Sequence, residues 1–494
     1  MLRSWDLNLH ITKSSGVVVY MQIAQQIIDE IQRGRLVPST AMPGSRELAE
    51  KLNVNRKTVV LAYDELIAQG WLTTESRRGT FVSGKLPLFS PISQNNVAVK
   101  QCVTEAPLPA PIKYTSAIAQ EDIAHLIDFN DGIPDTRLIP LETISRAFRR
   151  AMIEPIRTNK LGYSDPKGML SLRHAISEML NMERGLNVDI DNICITRGSQ
   201  MGIFLAARIL ANPNQYVIVE ELCYPPAREA FRSCGAKILT VGLDQYGLNV
   251  DRLEELCKKY PISAIYVTPH HQFPTTVTMT AERRLKLLML AEQYNFVIVE
   301  DDYDHEFHFH HHPVFPLAST NHAGRVVYVG SLSKVLAPGL RVGYIVASKE
   351  IISQCVSEVM LIDRQGNSLT ELAVGALLAS GEVKRHIRKT LKIYNERRNI
   401  LIDLLRNELG EFVNFDSPSG GLAIWLRLNH AIEINKLVQD ALGEKVGILP
   451  ASLFSESDVN FNGIRLGFGS LNDSELTTGI NRLKRAFEKR RMPY

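Results

Sequence analysis

The sequence predicts two unlike folds in one chain: a small α+β domain at the N-terminus and a larger α/β domain built on a parallel sheet. Three observations lead to this prediction. Residues 1–85 combine helical spacing with a short basic hairpin, residues 86–123 form a proline-containing stretch without period, and residues 124–494 alternate apolar runs with amphipathic segments. The length of 494 residues agrees, since one domain usually takes about 100–200 residues.

The composition excludes several classes of protein. Apolar residues make up 45 % and charged residues 22 % of the chain, which excludes a disordered or fibrous protein. The net charge of +3 is too small for a polycation that coats nucleic acid. All of this charge lies in residues 1–85, which hold eleven Lys and Arg against eight Asp and Glu. A small DNA-reading domain on a neutral body is compatible with that distribution.

Targeting and redox features are those of a cytoplasmic protein. The N-terminal residues contain no apolar core of signal-peptide length, and no stretch reaches the ~20 apolar residues of a membrane span. The cysteines show no Cys-x-x-Cys spacing, which argues against both a disulfide framework and a zinc knuckle. They are Cys102, Cys194, Cys223, Cys234, Cys257 and Cys355. We expect reduced thiols and a cytoplasmic location.

The first domain is expected to be a winged helix-turn-helix. Helical spacing predicts helices over 20–31, 45–52 and 55–69, and two short strands follow over 71–73 and 80–82. The turn between the strands is basic. Such a third helix would enter the major groove by its N-terminal end, and the hairpin would lie at the minor groove. The alternative is a small helical bundle with ordinary surface charges.

These elements resemble the GntR-type winged helix over the whole first domain. The resemblance rests on residues 42–49, 55–59, 66–72 and 78–82. It implies a double-stranded DNA operator as partner. The implied DNA contacts are Arg46, Asn55, Arg56, Lys57, Thr58, Arg77, Arg78, Gly79 and Thr80.

In the larger domain, short apolar runs end at polar clusters. The runs cover 216–219, 264–267, 296–299 and 325–329, with amphipathic stretches between most of them. This pattern is typical of buried parallel strands in an open α/β sheet. Because ligands bind outside the carboxyl ends of such strands, the polar clusters predict a ligand site.

The residues at these strand ends suit one kind of chemistry. Lys334 can form a Schiff base with an aldehyde, while Ser331, Ser333 and Arg341 can hold a phosphate. A carboxylate at Asp301 could keep a pyridine nitrogen protonated. Each feature alone is weak, since a lysine near a strand end is usually a surface residue and acidic pairs often cap helices. Their order and their strand context together carry the hypothesis.

The same order resembles the fold-type I aminotransferases, which use pyridoxal 5'-phosphate. The match runs from about residue 127 to the C-terminus through 161–168, 198–200, 300–303, 331–334, 341–344 and 464–468. It implies an α/β aminotransferase-like domain with a smaller C-terminal α+β subdomain over about 385–494. The implied residues are Lys334 (Schiff base), Asp301 (pyridine nitrogen), Tyr303 (phenolic oxygen), Tyr224 (ring stacking), Ser199, Gln200, Ser331, Ser333 and Arg341 (phosphate) and Arg465 (carboxylate of an amino-acid ligand).

The fusion of the two domains resembles the MocR/GabR family of transcriptional regulators. The segment 271–274, His-Gln-Phe-Pro, is typical of that family, whereas Thr276 stands where the regulators usually have glycine. The resemblance implies a head-to-tail homodimer that senses an amino acid, an amine or the cofactor itself at Lys334. The alternative is an active aminotransferase with an attached DNA-binding domain.

Histidines crowd one segment after a predicted strand. His305, His308 and the run 310–312 lie there, and His270 and His271 precede them in the chain. They show no fixed ligand spacing. We therefore expect no native metal and only adventitious binding of nickel or zinc.

Overall fold

A computed structural model describes most of the chain in two compact units, Met1–Pro111 and Ile112–Tyr494. The described residues are 9–12, 17–76, 78–86, 125–157, 162–309, 315–320, 323–429, 432–456 and 461–489. The predicted linker, except Leu86, lies outside the described residues, as do Arg77, Cys102 and the histidine run 310–312.

The described part of the first unit contains three helices and a hairpin, as predicted. They are α1 (Val19–Gln32), α2 (Ser45–Leu52), α3 (Arg56–Ala68), β1 (Leu72–Glu75) and β2 (Gly79–Val82). The turn between α2 and α3 passes through Asn53 at φ 50°, and the Asn55 side chain caps α3 by accepting from the Lys57 N–H at 2.8 Å. Fully buried Ile23, Ile27 and Leu66 help to form the core of this unit.

The second unit contains further strands and helices. The strands are β3 (Ile127–Asp128), β4 (Ile193–Thr196), β5 (Tyr216–Glu220), β6 (Lys237–Val241), β7 (Leu243–Asp244), β8 (Gly247–Leu248), β9 (Ile262–Val267), β10 (Val297–Asp302), β11 (Val326–Ser331), β12 (Gly343–Val346), β13 (Val413–Phe415), β14 (Ala423–Leu428), β15 (Val446–Gly447), β16 (Leu449–Pro450) and β17 (Gly463–Gly467). The helices are α4 (Leu141–Arg157), α5 (Leu170–Arg184), α6 (Gly198–Leu210), α7 (Pro225–Ser233), α8 (Val250–Lys259), α9 (Ala281–Tyr294), α10 (Lys349–Ile362), α11 (Ser368–Ala379), α12 (Glu382–Leu409), α13 (Ile434–Gly443) and α14 (Asp473–Glu488).

A seven-stranded sheet forms the centre of this unit, in the order β4-β12-β11-β10-β9-β5-β6. The four strands predicted from apolar runs, β5, β9, β10 and β11, pair in parallel, as expected. Strand β12 runs antiparallel to both of its neighbours, which the sequence patterns did not predict. The carboxyl ends of β9, β10 and β11 therefore lie side by side at the same end of the sheet.

A second sheet lies towards the C-terminus and has the antiparallel order β13-β14-β17-β16. Its buried face shares one apolar core with α12 and α14, through residues such as Leu401, Leu426 and Leu483. This gives the smaller α+β part that the family resemblance implied. Among the described residues, no helix is both long and apolar enough to cross a membrane.

Candidate active site and DNA-binding surface

Lys334 lies beyond the carboxyl end of β11, three residues after the strand ends at Ser331. Its Nζ atom is 4.5 Å from the centroid of the Tyr303 ring. Loss of hydration lowers the pKa of the Lys334 ammonium, while the nearby carboxylates of Asp131 and Asp304 oppose that shift. A lysine with a lowered pKa is more readily neutral, which is the form that attacks a carbonyl.

Asp301 lies near the end of β10 and is 4 % exposed. Its Oδ2 accepts a hydrogen bond from the Tyr266 hydroxyl at 2.7 Å, whereas its Oδ1 has no partner among the described residues. Burial raises the pKa of this carboxyl to about 7, and Tyr266 and Lys334 act in the opposite direction. An unpartnered buried carboxylate oxygen suits the protonated nitrogen of a pyridine ring.

The beginning of α6 meets the start of β12. A Cβ on Gly343 would stand only 2.5 Å from the carbonyl carbon of Gly198 and 2.7 Å from the Ser199 nitrogen. Arg341 lies against the same turn, since a Cβ on Gly198 would stand 2.7 Å from its Nη2. Ser331 is paired with Gly343 across β11 and β12. These residues gather hydroxyls and a guanidinium at a helix N-terminus, where anions bind.

Two further side chains of the predicted phosphate site carry buried polar atoms without a partner. These atoms are Gln200 Oε1 and Ser333 Oγ, neither of which has a hydrogen-bond partner among the described residues. The rest of each residue is fixed: Gln200 Nε2 donates to the Pro226 carbonyl at 3.3 Å, and the Ser333 N–H donates to Ser331 Oγ at 3.2 Å. Because unsatisfied buried polar atoms are costly, this arrangement fits a polar ligand that supplies the missing partners.

Two tyrosines were predicted to contact the cofactor ring. Tyr224 packs edge-to-face on Phe273, with ring centroids 5.4 Å apart. Tyr303 lies under Lys334, and its hydroxyl donates to the His271 carbonyl at 2.9 Å. Burial raises the pKa of the Tyr303 phenol far above its usual range. The structure therefore holds this phenol neutral, with its oxygen able to accept a further hydrogen bond.

Arg465, the predicted carboxylate clamp, lies on β17 and is 1 % exposed. Its Nε donates to the Asp131 carbonyl at 3.1 Å, and its Nη1 donates to the Pro274 carbonyl at 2.6 Å. The guanidinium carbon also lies 4.6 Å from the centroid of the Phe273 ring. Backbone carbonyls thus occupy part of the guanidinium fork and orient it.

The segment after β9 shows how a threonine replaces the glycine expected there. Thr276 adopts φ 63°, in the left-handed region that β-branched residues disfavour. Its N–H donates to the Gln272 carbonyl at 2.7 Å, and the Gln272 amide donates to the Leu222 carbonyl at 2.7 Å. The turn is therefore held by hydrogen bonds, and Thr276 accepts the conformation that glycine would adopt more cheaply.

The sequence patterns did not point to three residues near Lys334. Tyr266 holds Asp301, Asp131 lies near the lysine, and Asp304 accepts or shares a proton with His271 Nδ1 at 2.8 Å. Tyr266 left one signal, an aromatic hydroxyl within a strand whose other residues, except Ser263, are aliphatic. Nothing in the spacing of Asp131 or Asp304 related them to a lysine far along the chain.

In the first unit, the described residues among the predicted DNA contacts lie at the start of α2 (Arg46), at the start of α3 and on the hairpin. Arg46, Arg56 and Lys57 are exposed, and Arg56 Nε donates to Ser45 Oγ at 3.3 Å. On the hairpin, the Arg78 guanidinium pairs with Glu75. Leu61 is 55 % exposed and lies beside Arg56 and Lys57 on one surface. The sequence patterns did not predict that Leu61 belongs to this surface.

Comparison with known proteins identifies both parts of the chain. The model described as aminotransferase class I and II matches residues 124–485. The chain belongs to the aminotransferase class I and II family. A second model, bacterial regulatory proteins of the gntR family, matches residues 19–82. The predicted combination of a GntR helix-turn-helix with an aminotransferase domain is confirmed.

Relatives share this two-part architecture over nearly their whole length. The chain is 28 % identical to the probable rhizopine catabolism regulatory protein MocR of Rhizobium meliloti, covering 97 % of this chain and 96 % of the relative. It is 27 % identical to the pyridoxine biosynthesis regulator PdxR of Corynebacterium glutamicum, covering 95 % and 96 %. These matches support a DNA-binding regulator.

The second unit resembles solved aminotransferases. The α-aminoadipate aminotransferase LysN of Thermus thermophilus, solved with N-(5'-phosphopyridoxyl)-L-leucine, is 29 % identical and gives a TM-score of 0.69. The similarity covers 74 % of this chain and 93 % of LysN. The aminotransferase fold thus extends over the region that holds Lys334 and Asp301.

Proposed function

We propose that the chain is a pyridoxal-phosphate-dependent transcriptional regulator that senses an amino acid, an amine or the cofactor itself at Lys334. The observation that carries the proposal is the position of Lys334, over Tyr303 and close to the charge of Asp301, in a chain that begins with a GntR domain. Ligand binding at Lys334 would change how the DNA-binding unit binds its operator, and so change transcription.

The cofactor is pyridoxal 5'-phosphate, in keeping with the aminotransferase family and with the phosphopyridoxyl ligand of LysN. When bound, it supplies an aldehyde and an electron-withdrawing ring. Lys334 would hold the aldehyde and Asp301 Oδ1 would accept from the pyridine nitrogen. Ser199, Ser333 and Arg341 would hold the phosphate at the start of α6.

The effector site would use the remaining residues. Arg465, buried between two backbone carbonyls, would present what is left of its guanidinium fork to a carboxylate. A carboxylate-bearing amine would therefore be held at two points, Lys334 and Arg465. Any effect on transcription requires that such a ligand bind two arrangements of the protein with different affinities.

A working aminotransferase is the second candidate. The retention of both Lys334 and Asp301, with lowered and raised pKa values respectively, favours it, because both groups serve transamination as well as sensing. The GntR domain and the relatives MocR and PdxR favour regulation. Catalytic turnover separates the two candidates, because an aminotransferase completes the reaction with a keto acid and a sensor does not.

A homodimer is part of the proposal. Fold-type I sites are built at a subunit interface, and a dimer would carry two winged helices. Two such domains imply an operator of two half-sites, whose spacing follows the geometry of the dimer.

A visible absorption titration tests the proposal. Amino acids and amines are added one at a time to the cofactor-loaded full chain, followed by a keto acid. A sensor gives a stable spectral change with one ligand and no accumulating product. Bleaching that the keto acid reverses, with product formed, would instead identify an aminotransferase. A spectrum that is the same in the wild type and in Lys334→Ala would contradict both candidates.

A further inference from the structure

Four histidines from two segments of the chain form one cluster in the second unit. The rings of His270, His271, His305 and His308 pack together, with centroids of His270 at 4.4, 4.9 and 4.8 Å from the other three. His270 and His271 follow β9, and the other two follow β10. All except His308 are buried, and His308 is partly exposed.

Three of these residues have the spacing of metal ligands. One nitrogen from each of His270, His271 and His308 lies within 4.8 Å of the other two. His270 Nε2 and His308 Nδ1 are 3.2 Å apart. Two imidazole nitrogens bound at 2.0–2.1 Å to one tetrahedral Zn²⁺ are separated by about this distance.

A carboxylate orients one ring of the cluster, His271, as carboxylates orient ligating histidines in metalloproteins. The Asp304 carboxylate holds His271 Nδ1 at 2.8 Å, so the ring is fixed and its Nε2 is the atom left for a ligand. The other nitrogen of His270, Nδ1, is buried and has no partner among the described residues, so this ring, unlike that of His271, is not oriented by a second hydrogen bond. Because His308 is partly exposed, an ion could enter past it.

A second set of three, His270, Asp302 and His305, also lies within ligand distance. One oxygen of its carboxylate is already engaged, since Asp302 Oδ2 accepts from the Tyr328 hydroxyl at 2.7 Å and from His305 Nδ1 at 2.8 Å, whereas Oδ1 has no partner among the described residues. The Arg184 guanidinium lies 3.7 Å from the same oxygen and would repel a cation. The set with three histidines is therefore the better site.

We propose that His270, His271 and His308 bind one divalent transition-metal ion of the Zn²⁺ class, with Asp304 orienting His271. Three imidazoles and an open fourth position form a donor set that suits Zn²⁺. The site lies behind the cofactor pocket, because the His271 carbonyl accepts the hydroxyl of Tyr303. The proposal does not depend on the function proposed above.

The test compares the full-length wild type with three variants after removal of metal and reloading with Zn²⁺ or Co²⁺. His308→Ala removes a ligand at the edge of the site. Asp304→Asn leaves all three ligands in place and weakens the orientation of His271. A double variant, His311→Ala with His312→Ala, removes two histidines that follow closely in the sequence but are not proposed ligands, and serves as the matched control.

The proposal predicts one Zn²⁺ per chain in the wild type and the intense visible bands of tetrahedral Co²⁺. His308→Ala should lose both signals, the double variant should keep them, and Asp304→Asn should bind roughly 10–100-fold more weakly. Substoichiometric metal in the wild type would overturn the proposal. So would metal that follows His311 and His312, or unchanged affinity in Asp304→Asn. The last comparison decides the matter even if His308→Ala fails to fold.

Discussion

At the scale of single residues, burial shifts the pKa values of the lysine and the carboxylate at the site towards one another. Burial lowers the pKa of Lys334 and raises that of Asp301 to about 7. Each charge partly restores the ionised form of the other. The site therefore holds a lysine that is easily neutralised beside a carboxylate that is easily protonated. The protonated nitrogen of a bound pyridine ring would give this carboxylate a charged hydrogen-bond donor.

Replacing Asp301 tests the part of this site that faces the ring. Asp301→Asn removes the charge that would hold a protonated pyridine nitrogen, and a hydrogen bond to a charged group contributes about 1.5–3 kcal/mol. We expect cofactor affinity to fall about 10–100-fold, measured by fluorescence titration. Tyr266→Phe, which removes only the donor to Oδ2, should cost less. Equal affinity in Asp301→Asn and the wild type would contradict the role given to Asp301.

Glu220, buried behind the loop at 272–276, makes stability depend on pH. Burial raises the pKa of its carboxyl to about 7, although Gln272 and Thr268 donate to it. Because the folded state binds this proton more tightly than the unfolded state, the stability contributed by Glu220 decreases as pH rises from about 4.5 to 7.

Replacing Glu220 isolates this effect. Glu220→Gln cannot titrate, and its amide nitrogen would occupy the place of the unpartnered Oε1. Relative to the wild type, the variant should gain on the order of 3 kcal/mol between pH 4.5 and 8. Thermal unfolding at several pH values measures this, with the exposed Glu178→Gln as control. Parallel curves for Glu220→Gln and the wild type would contradict the assignment.

At the scale of elements, apolar runs located the strands well. Each predicted parallel strand was a run of four or five mostly apolar residues that ended at polar side chains, and β5, β9, β10 and β11 lie at these positions. The sequence does not distinguish the antiparallel β12, because a short apolar run carries no sign of strand direction. The strands also extend further than predicted, so Asp301 and Asp302 lie within β10.

Helix α3 and the hairpin should bind DNA through phosphate contacts. We expect Arg56→Ala and Arg78→Ala each to weaken operator binding and to reduce the salt slope by about 1, since each removes about one phosphate contact. The exposed Lys349→Ala, in the second unit, is the charge-matched control. Binding isotherms at several salt concentrations measure the slopes. Unchanged slopes in both arginine variants would contradict the proposed DNA surface.

At the scale of the whole molecule, the order of motifs allowed most of the site to be predicted. Asp301 lies near the end of β10, Lys334 follows β11 and Arg341 precedes β12, so their meeting at one end of the sheet follows from the topology. The contacts of Tyr266 with Asp301 and of His271 with Asp304 depend on packing between segments about 30 residues apart. Spacing alone carries no information about such contacts. The sequence showed that histidines crowd near 270 and 305, but for the same reason it did not predict that their rings pack together.

A dimer with two winged helices predicts strong dependence on both half-sites. Sedimentation should give twice the 55.4-kDa mass of one chain. Removing one half-site of the operator should weaken binding roughly 100-fold or more, because the second contact becomes intramolecular once the first is made. An operator of the same length with one scrambled half-site is the control. If the operator with one half-site binds the protein as tightly as the intact operator does, this arrangement is contradicted. A monomer in solution would contradict it as well.

Trapping of the cofactor on Lys334 tests the account most directly. Cofactor-loaded protein is reduced with borohydride and digested, and its peptides are examined by mass spectrometry. We predict a phosphopyridoxyl group on the peptide that contains Lys334, and none on that peptide in Lys334→Ala. A label spread over exposed lysines such as Lys349, with Lys334 unmodified, would contradict the account.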